Sequence, residues 1–146
     1  MDIKIFKKKK NLAEQLNRLN KKYIPLPNSG IYGNELIWKQ LVKPTEESKE
    51  YCIEVKYNYS IPKVYINNQG IMKEKDEKIP HTYERKYIDE NKQIVRPCLY
   101  YPNYGEWKNY MYIADTIIPW TIEWLYYYEM WRITGEWLGG GIHNEK

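Results

Sequence analysis

The sequence has only two cysteines, Cys52 and Cys98, and neither has a partner at metal-ligand spacing, so a zinc knuckle and a disulfide framework are both excluded. A reducing compartment, the cytoplasm, is the expected location. Histidine is as scarce: His81 and His143 are the only two, and no GxSxG, HExxH or glycine-rich phosphate loop accompanies them. The common hydrolases and nucleotide-dependent enzymes are thereby removed, and no metal or cofactor is expected. No run of about 18 apolar residues occurs, and none follows the basic start MDIKIFKKKK, so neither membrane spanning nor secretion is expected. Phenylalanine appears once, against 16 tyrosines and 6 tryptophans. Aromatic packing must therefore come from rings with polar tips, which build cores and interfaces and also stack nucleobases.

What is present fits one domain spanning residues 1–146, a length that buries a core without disulfides or metal. The net charge of +4 owes much to Lys7–Lys10. Residues 1–10 are expected to form a basic, mobile N-terminal segment, and residues 139–146 a glycine-rich tail. Leu12, Leu16, Leu19 and Tyr23 recur at helical spacing behind the capping residue Asn11, and the prolines and glycine of residues 24–30 must end that helix. Strands are expected over 36–42, 51–59 and 63–67. The second alternates most clearly, with Tyr51, Ile53, Val55, Tyr57 and Tyr59 on one face. Short turns join them into an antiparallel meander. Residues 73–92 are charged and lack periodicity, so they are expected to be an irregular connection. Pro119 is expected to open a helix that Gly135 stops, with Trp120, Trp124, Tyr127 and Trp131 on one stripe. That stripe is either core or a binding platform, and core is the expectation. The fold class is α+β.

With hydrolytic motifs absent, thiol chemistry is left, and it needs an accessible, activated cysteine. Cys52 sits inside a regular strand, where a small side chain fills space, and is expected to be packed in the sheet. Cys98 follows Pro97 outside the regular strands, with Arg96 nearby to favour a thiolate. On the residues alone it is either a nucleophile or a buried structural cysteine, since free cysteine is among the most buried residue types.

The strings PHTY (80–83), PCLYYP (97–102) and EW (106–107), followed by IADTIIPWTIEWLYYYEMWRITGEWLGGGIH, resemble the bacterial ubiquitin-conjugating-enzyme-like (E2-like) proteins of anti-phage cyclic-oligonucleotide signalling (CBASS) operons. The similarity is to short, stand-alone members encoded beside a cGAS-like nucleotidyltransferase. It is detailed over roughly the last 70 residues. Upstream, only the order of helix and meander agrees. The resemblance implies an E2-like fold in which the meander packs against an N-terminal helix and a C-terminal aromatic helix. It also implies that Cys98 accepts the C-terminal glycine of a protein partner as a thioester, which an amine then attacks. The partner implied is the nucleotidyltransferase, with adenylating activity supplied in trans and no cofactor needed at the transfer step.

The chain departs from eukaryotic E2 enzymes in lacking their His-Pro-Asn triplet before the cysteine. His81, Tyr83 and Asn91 stand in as supporting residues, and the oxyanion donor is unassigned. His81 is read either as a general base or as a residue that orders its loop. A non-catalytic E2 variant that scaffolds the nucleotidyltransferase is the main rival, and a single-stranded nucleic-acid binder is the next. The glycines at 139–141 invite comparison with a ubiquitin-like modifier, but the sequence continues IHNEK and they more simply cap a helix.

Overall fold

The computed structural model describes residues 7–67, 79–87, 93–100 and 105–139. At the centre of its sheet lies the strand with the clearest alternation, β3 (Tyr51–Tyr57), in which Tyr51, Ile53, Val55 and Tyr57 are buried and the residues between them half-buried. Beside it run β2 (Glu35–Val42) and β4 (Lys63–Asn67), both antiparallel to it. Trp38 opposes Val55, which opposes Val64, and Ile53 opposes Ile66. Because side chains alternate along each strand, these pairs put one continuous apolar layer on one face. The other face carries Cys52, Lys39, Glu54 and Lys56, with Glu54 lying 3.7 Å from the Lys39 ammonium.

The meander is extended at both ends. A short β1 (Gly30–Tyr32) pairs with β2. The charged region 73–92, expected to be irregular, holds β5 (Thr82–Tyr87), and a further strand, β6 (Gln93–Pro97), follows directly after it. The six strands lie in the order β1-β2-β3-β4-β6-β5, all antiparallel, with an irregularity between Thr82 and Glu84. Here the expectation was wrong for a physical reason. Among the described residues β5 is an edge strand, paired with β6 alone, and its sequence TYERKY is the charged kind that edges tolerate and that carries no apolar alternation.

Helix α1 (Leu12–Lys22) begins as expected at Asn11, whose side chain accepts from the Glu14 amide at 2.8 Å while the Glu14 carboxylate takes the Asn11 amide. It buries Leu12, Leu19 and, unexpectedly, Gln15. The Gln15 amide is satisfied at both ends: Nε2 donates to the Met111 carbonyl at 2.8 Å, and Oε1 accepts from the Ile113 amide at 2.9 Å. That pair fastens α1 to a 3-10 turn at Ile113–Asp115. Asp115 adds ion pairs with Arg18 and Lys22.

The second helix, α2 (Ile117–Thr134), starts ahead of Pro119, which still falls in the first turn where its missing N–H removes no helical bond. Gly135 stops it at φ +80°, as expected, with its amide on the Trp131 carbonyl at 2.8 Å. The buried face is Ile117, Ile118, Thr121, Trp124, Leu125 and Tyr128. Of the expected aromatic stripe only Trp124 is buried; Trp120, Tyr127 and Trp131 are half-buried along its flank. From Lys7 onward the basic N-terminal segment lies over tyrosine rings: the Lys9 ammonium sits 4.6 Å from the Tyr59 ring and that of Lys10 4.9 Å from Tyr112. The Lys10 amide also donates to the Asn109 carbonyl. Residues 1–6 lie outside the described residues.

Candidate active site around Cys98

Pro97 ends β6, opposite Thr82, and the next amide, that of Cys98, donates to the His81 carbonyl at 2.8 Å. The backbone at His81 is left-handed, with φ +54°, a conformation in which histidine is over-represented among non-glycine residues. Its carbonyl accepts a second bond, from Trp124 Nε1 at 2.9 Å. One carbonyl thus ties the strand carrying Cys98 to α2. The His81 ring lies 5.0 Å from the Trp137 ring, which in turn lies 5.5 Å from Trp124.

These contacts enclose an open cavity of about 320 Å³. Cys98, Leu99 and His81 line it together with the aromatic side chains of Trp120, Trp124, Tyr127 and Trp137. Two carboxylates, Glu106 and Glu123, complete the lining, both on exposed residues. Gly139 lets the segment after α2 close against this wall: a Cβ there would fall 2.7 Å from Tyr127 Cδ2 and 3.0 Å from Trp137 Nε1. The first of the three tail glycines therefore serves close packing.

Cys98 is half-buried and lines the cavity. Cys52 is half-buried too, on the outer face of β3, so the expected contrast in burial between the two cysteines is absent. Alternation places Cys52 on the face opposite the core. Burial pushes the Cys52 thiol above its usual range, Glu54 pushes it further, and Lys39 only partly opposes them.

His81 and Cys98 line one cavity. Tyr83 belongs to β5, two positions beyond His81, but its side chain lies outside the described residues, as does Asn91 entirely. Sequence reasoning missed Glu106, Glu123 and Trp137. Glu123 had a legible signal, since it stands three residues after Trp120 and four before Tyr127 and so shares their side of the helix. Trp137 had none, because its place depends on how the chain turns after Gly135. Among the described residues, no three of His, Cys, Asp and Glu gather to hold a metal ion, and no helix is long and apolar enough to cross a membrane.

Against known protein families, residues 15–144 match the E2-CBASS model, described as Type II CBASS E2 protein. The match starts inside α1 and therefore takes in the meander as well as the C-terminal strings that carried the resemblance. No curated protein matches the chain.

Proposed function

The chain belongs to the Type II CBASS E2 protein family, and from that premise we propose that it is a conjugating protein of CBASS defence whose Cys98 holds the C-terminal glycine of a cGAS-like nucleotidyltransferase as a thioester. The observation that carries this reading is the placement of Cys98. It stands at the end of a strand, pinned through its amide, with its residue on the wall of a cavity large enough for a peptide terminus.

In the step proposed, the Cys98 sulfur attacks the acyl carbon of an adenylated glycine, the carbon–sulfur bond forms, and the adenylate leaves. Activation comes from an adenylating protein in trans. The thioester then retains enough energy for an amine to displace sulfur with no cofactor at that step. His81 is the supporting residue within the cavity, and Tyr83 and Asn91 are the other candidates from the same hairpin region. The antiparallel sheet, with α1 and α2 on its apolar face, supports an E2-like fold.

A second reading has its own observation. Glu106 and Glu123 bring negative charge to the cavity that holds Cys98, and negative charge disfavours a thiolate. On that reading the protein binds the nucleotidyltransferase without transferring it. Expressing the operon with Cys98→Ala in place of the parent protein and challenging the cells with phage separates the two. Loss of protection, with the variant present at parental level, is expected. Full protection would put the scaffold ahead.

A further inference from the structure

The net charge of +4 is matched by one short segment, since without Lys7, Lys8, Lys9 and Lys10 the 23 basic residues fall to 19, equal to the 19 acidic ones. Three of these four ammonium groups lie over tyrosine rings. Lys7 is 4.8 Å from the ring centre of Tyr110, Lys9 4.6 Å from that of Tyr59 and Lys10 4.9 Å from that of Tyr112. A tyrosine face orients an ammonium through its quadrupole but carries no net charge, so the cation is placed without being neutralised. A carboxylate would do both. Among the described residues the ion pairs are made by other cations, Arg18 and Lys22 with Asp115, and Lys39 and Lys56 with Glu54. Glu14, the next acidic residue along the chain, is engaged in the cap of α1, where it accepts from the Asn11 amide. We propose that this strip is a binding surface for a single-stranded nucleic acid, whose phosphates meet Lys7–Lys10 and whose bases stack on the rings of Tyr59, Tyr110 and Tyr112.

The placement of the strip supports this. The Lys10 amide donates to the Asn109 carbonyl at 2.9 Å, which lays the segment beside the loop that carries Tyr110, Tyr112 and the exposed Lys108. Tyr59 is held at both ends: its hydroxyl accepts from the Leu12 amide at 3.0 Å, and its ring lies 5.7 Å from that of Tyr57. It is nonetheless 38% exposed, and Tyr110 and Tyr112 are half-buried, so all three rings remain within reach of a ligand. Cations interleaved with accessible rings are the combination that tracks a phosphate chain and stacks unpaired bases. On binding, an ammonium passes from its ring to a phosphate, and the face it leaves is the one a base covers. An anionic membrane would meet the lysines but would bring no base to the rings. None of these residues lines the cavity that holds Cys98, so the inference stands apart from the thioester reading.

The test is fluorescence anisotropy of a labelled oligodeoxythymidylate of about 12 nucleotides, titrated with the full chain at several salt concentrations. Four phosphate contacts on a single strand give a slope of about −2.8 in log affinity against log salt, a loss of about fiftyfold between about 50 and 200 mM. Lys7→Gln, Lys8→Gln, Lys9→Gln and Lys10→Gln together should remove most of that slope and weaken binding about tenfold or more at the lower salt. Tyr110→Leu with Tyr112→Leu keeps every charge, and should weaken the strand about fivefold for each ring while leaving the slope as it was. Lys56→Gln is the control. Its ammonium also faces a tyrosine, Tyr65 at 5.6 Å, but pairs with Glu54, so this variant should bind as the parent does. Each variant is first shown to melt with the parent. Full affinity in the four-glutamine variant, or in the double leucine variant, would overturn the proposal. So would a duplex bound as tightly as the single strand, which would leave the rings without a role. Sedimentation with phosphatidylserine vesicles in a chain that ignores the oligonucleotide would also overturn it and give the strip to a membrane.

Discussion

Replacing Trp124 probes the joint between the core and the Cys98 cavity. The residue is 4% exposed, packs between Tyr128 and Trp137, and donates its indole N–H to the carbonyl that also receives the Cys98 amide. Trp124→Ala removes the whole ring from a site whose neighbours are fixed by their own contacts, so little collapse is available. The cost expected is about 3–5 kcal/mol, the range for truncating a large buried aromatic. Trp124→Phe keeps a ring against Tyr128 and loses the N–H bond, worth about 1 kcal/mol, together with some packing, for about 1–2 kcal/mol in all. Against a total stability of about 5–15 kcal/mol for a domain, the alanine variant remains folded but clearly weakened. Urea denaturation followed by far-ultraviolet circular dichroism gives both differences without relying on tryptophan emission. If Trp124→Ala unfolds within about 1 kcal/mol of the parent, the ring is not part of the core and the joint described here is wrong.

Gln15→Ala should cost about 2–3 kcal/mol in the same assay, because it strands the Met111 carbonyl and the Ile113 amide in a buried setting. Gly139→Ala should change the tryptophan emission of the native protein, since the new methyl cannot coexist with Tyr127 and Trp137 as placed; an unchanged spectrum would show that the tail does not lie on the wall. Asp115 is subject to burial that raises its pKa, but hydrogen bonds from Lys22 and Arg18 outweigh it and hold the carboxyl below its ordinary 3.8. Its folded pKa being the lower one, Asp115 stabilises above that ordinary value and ceases to as pH falls through the folded one. Asp115→Asn should therefore cost less than about 1 kcal/mol at neutral pH, both ion pairs being a third or more exposed, and the thermal-melting difference should close below about pH 3.8. Alkylation of the native protein at neutral pH should label Cys52 slowly, its thiol being held up by burial and Glu54, and faster as pH rises.

The parts of the fold that are amphipathic within themselves were legible. Alternation along β3 and the helical spacing of Leu12, Leu16 and Leu19 each name a buried face without help from the rest of the chain, and Asn11 and Gly135 mark helix ends through their own backbone chemistry. The β5–β6 hairpin was not, because an edge strand need not alternate and its pairing with β4 is a long-range event. The aromatic stripe on α2 was seen, but not how it divides. Periodicity shows that Trp120, Trp124 and Tyr127 share a side, but only the packing around Ile117, Ile118 and Leu125 decides that Trp124 enters the core while Trp120 and Tyr127 stay half-buried along the cavity. Cys98 and His81 were named from residue type, and what joins them is a backbone hydrogen bond, which no side chain announces.

The claim that Cys98 carries a thioester is tested most directly by intact-mass analysis of the parent and its Cys98 variants. Each is incubated with a glycine-terminated nucleotidyltransferase, ATP and the adenylating protein. The parent should gain the partner's mass less one water, and a thiol reductant should remove it. Cys98→Ser should give an oxyester that survives reductant and yields to base, and Cys98→Ala should give no adduct while still binding the partner. An adduct of the same mass in Cys98→Ala, or none in a parent that binds the adenylated partner, would contradict the account.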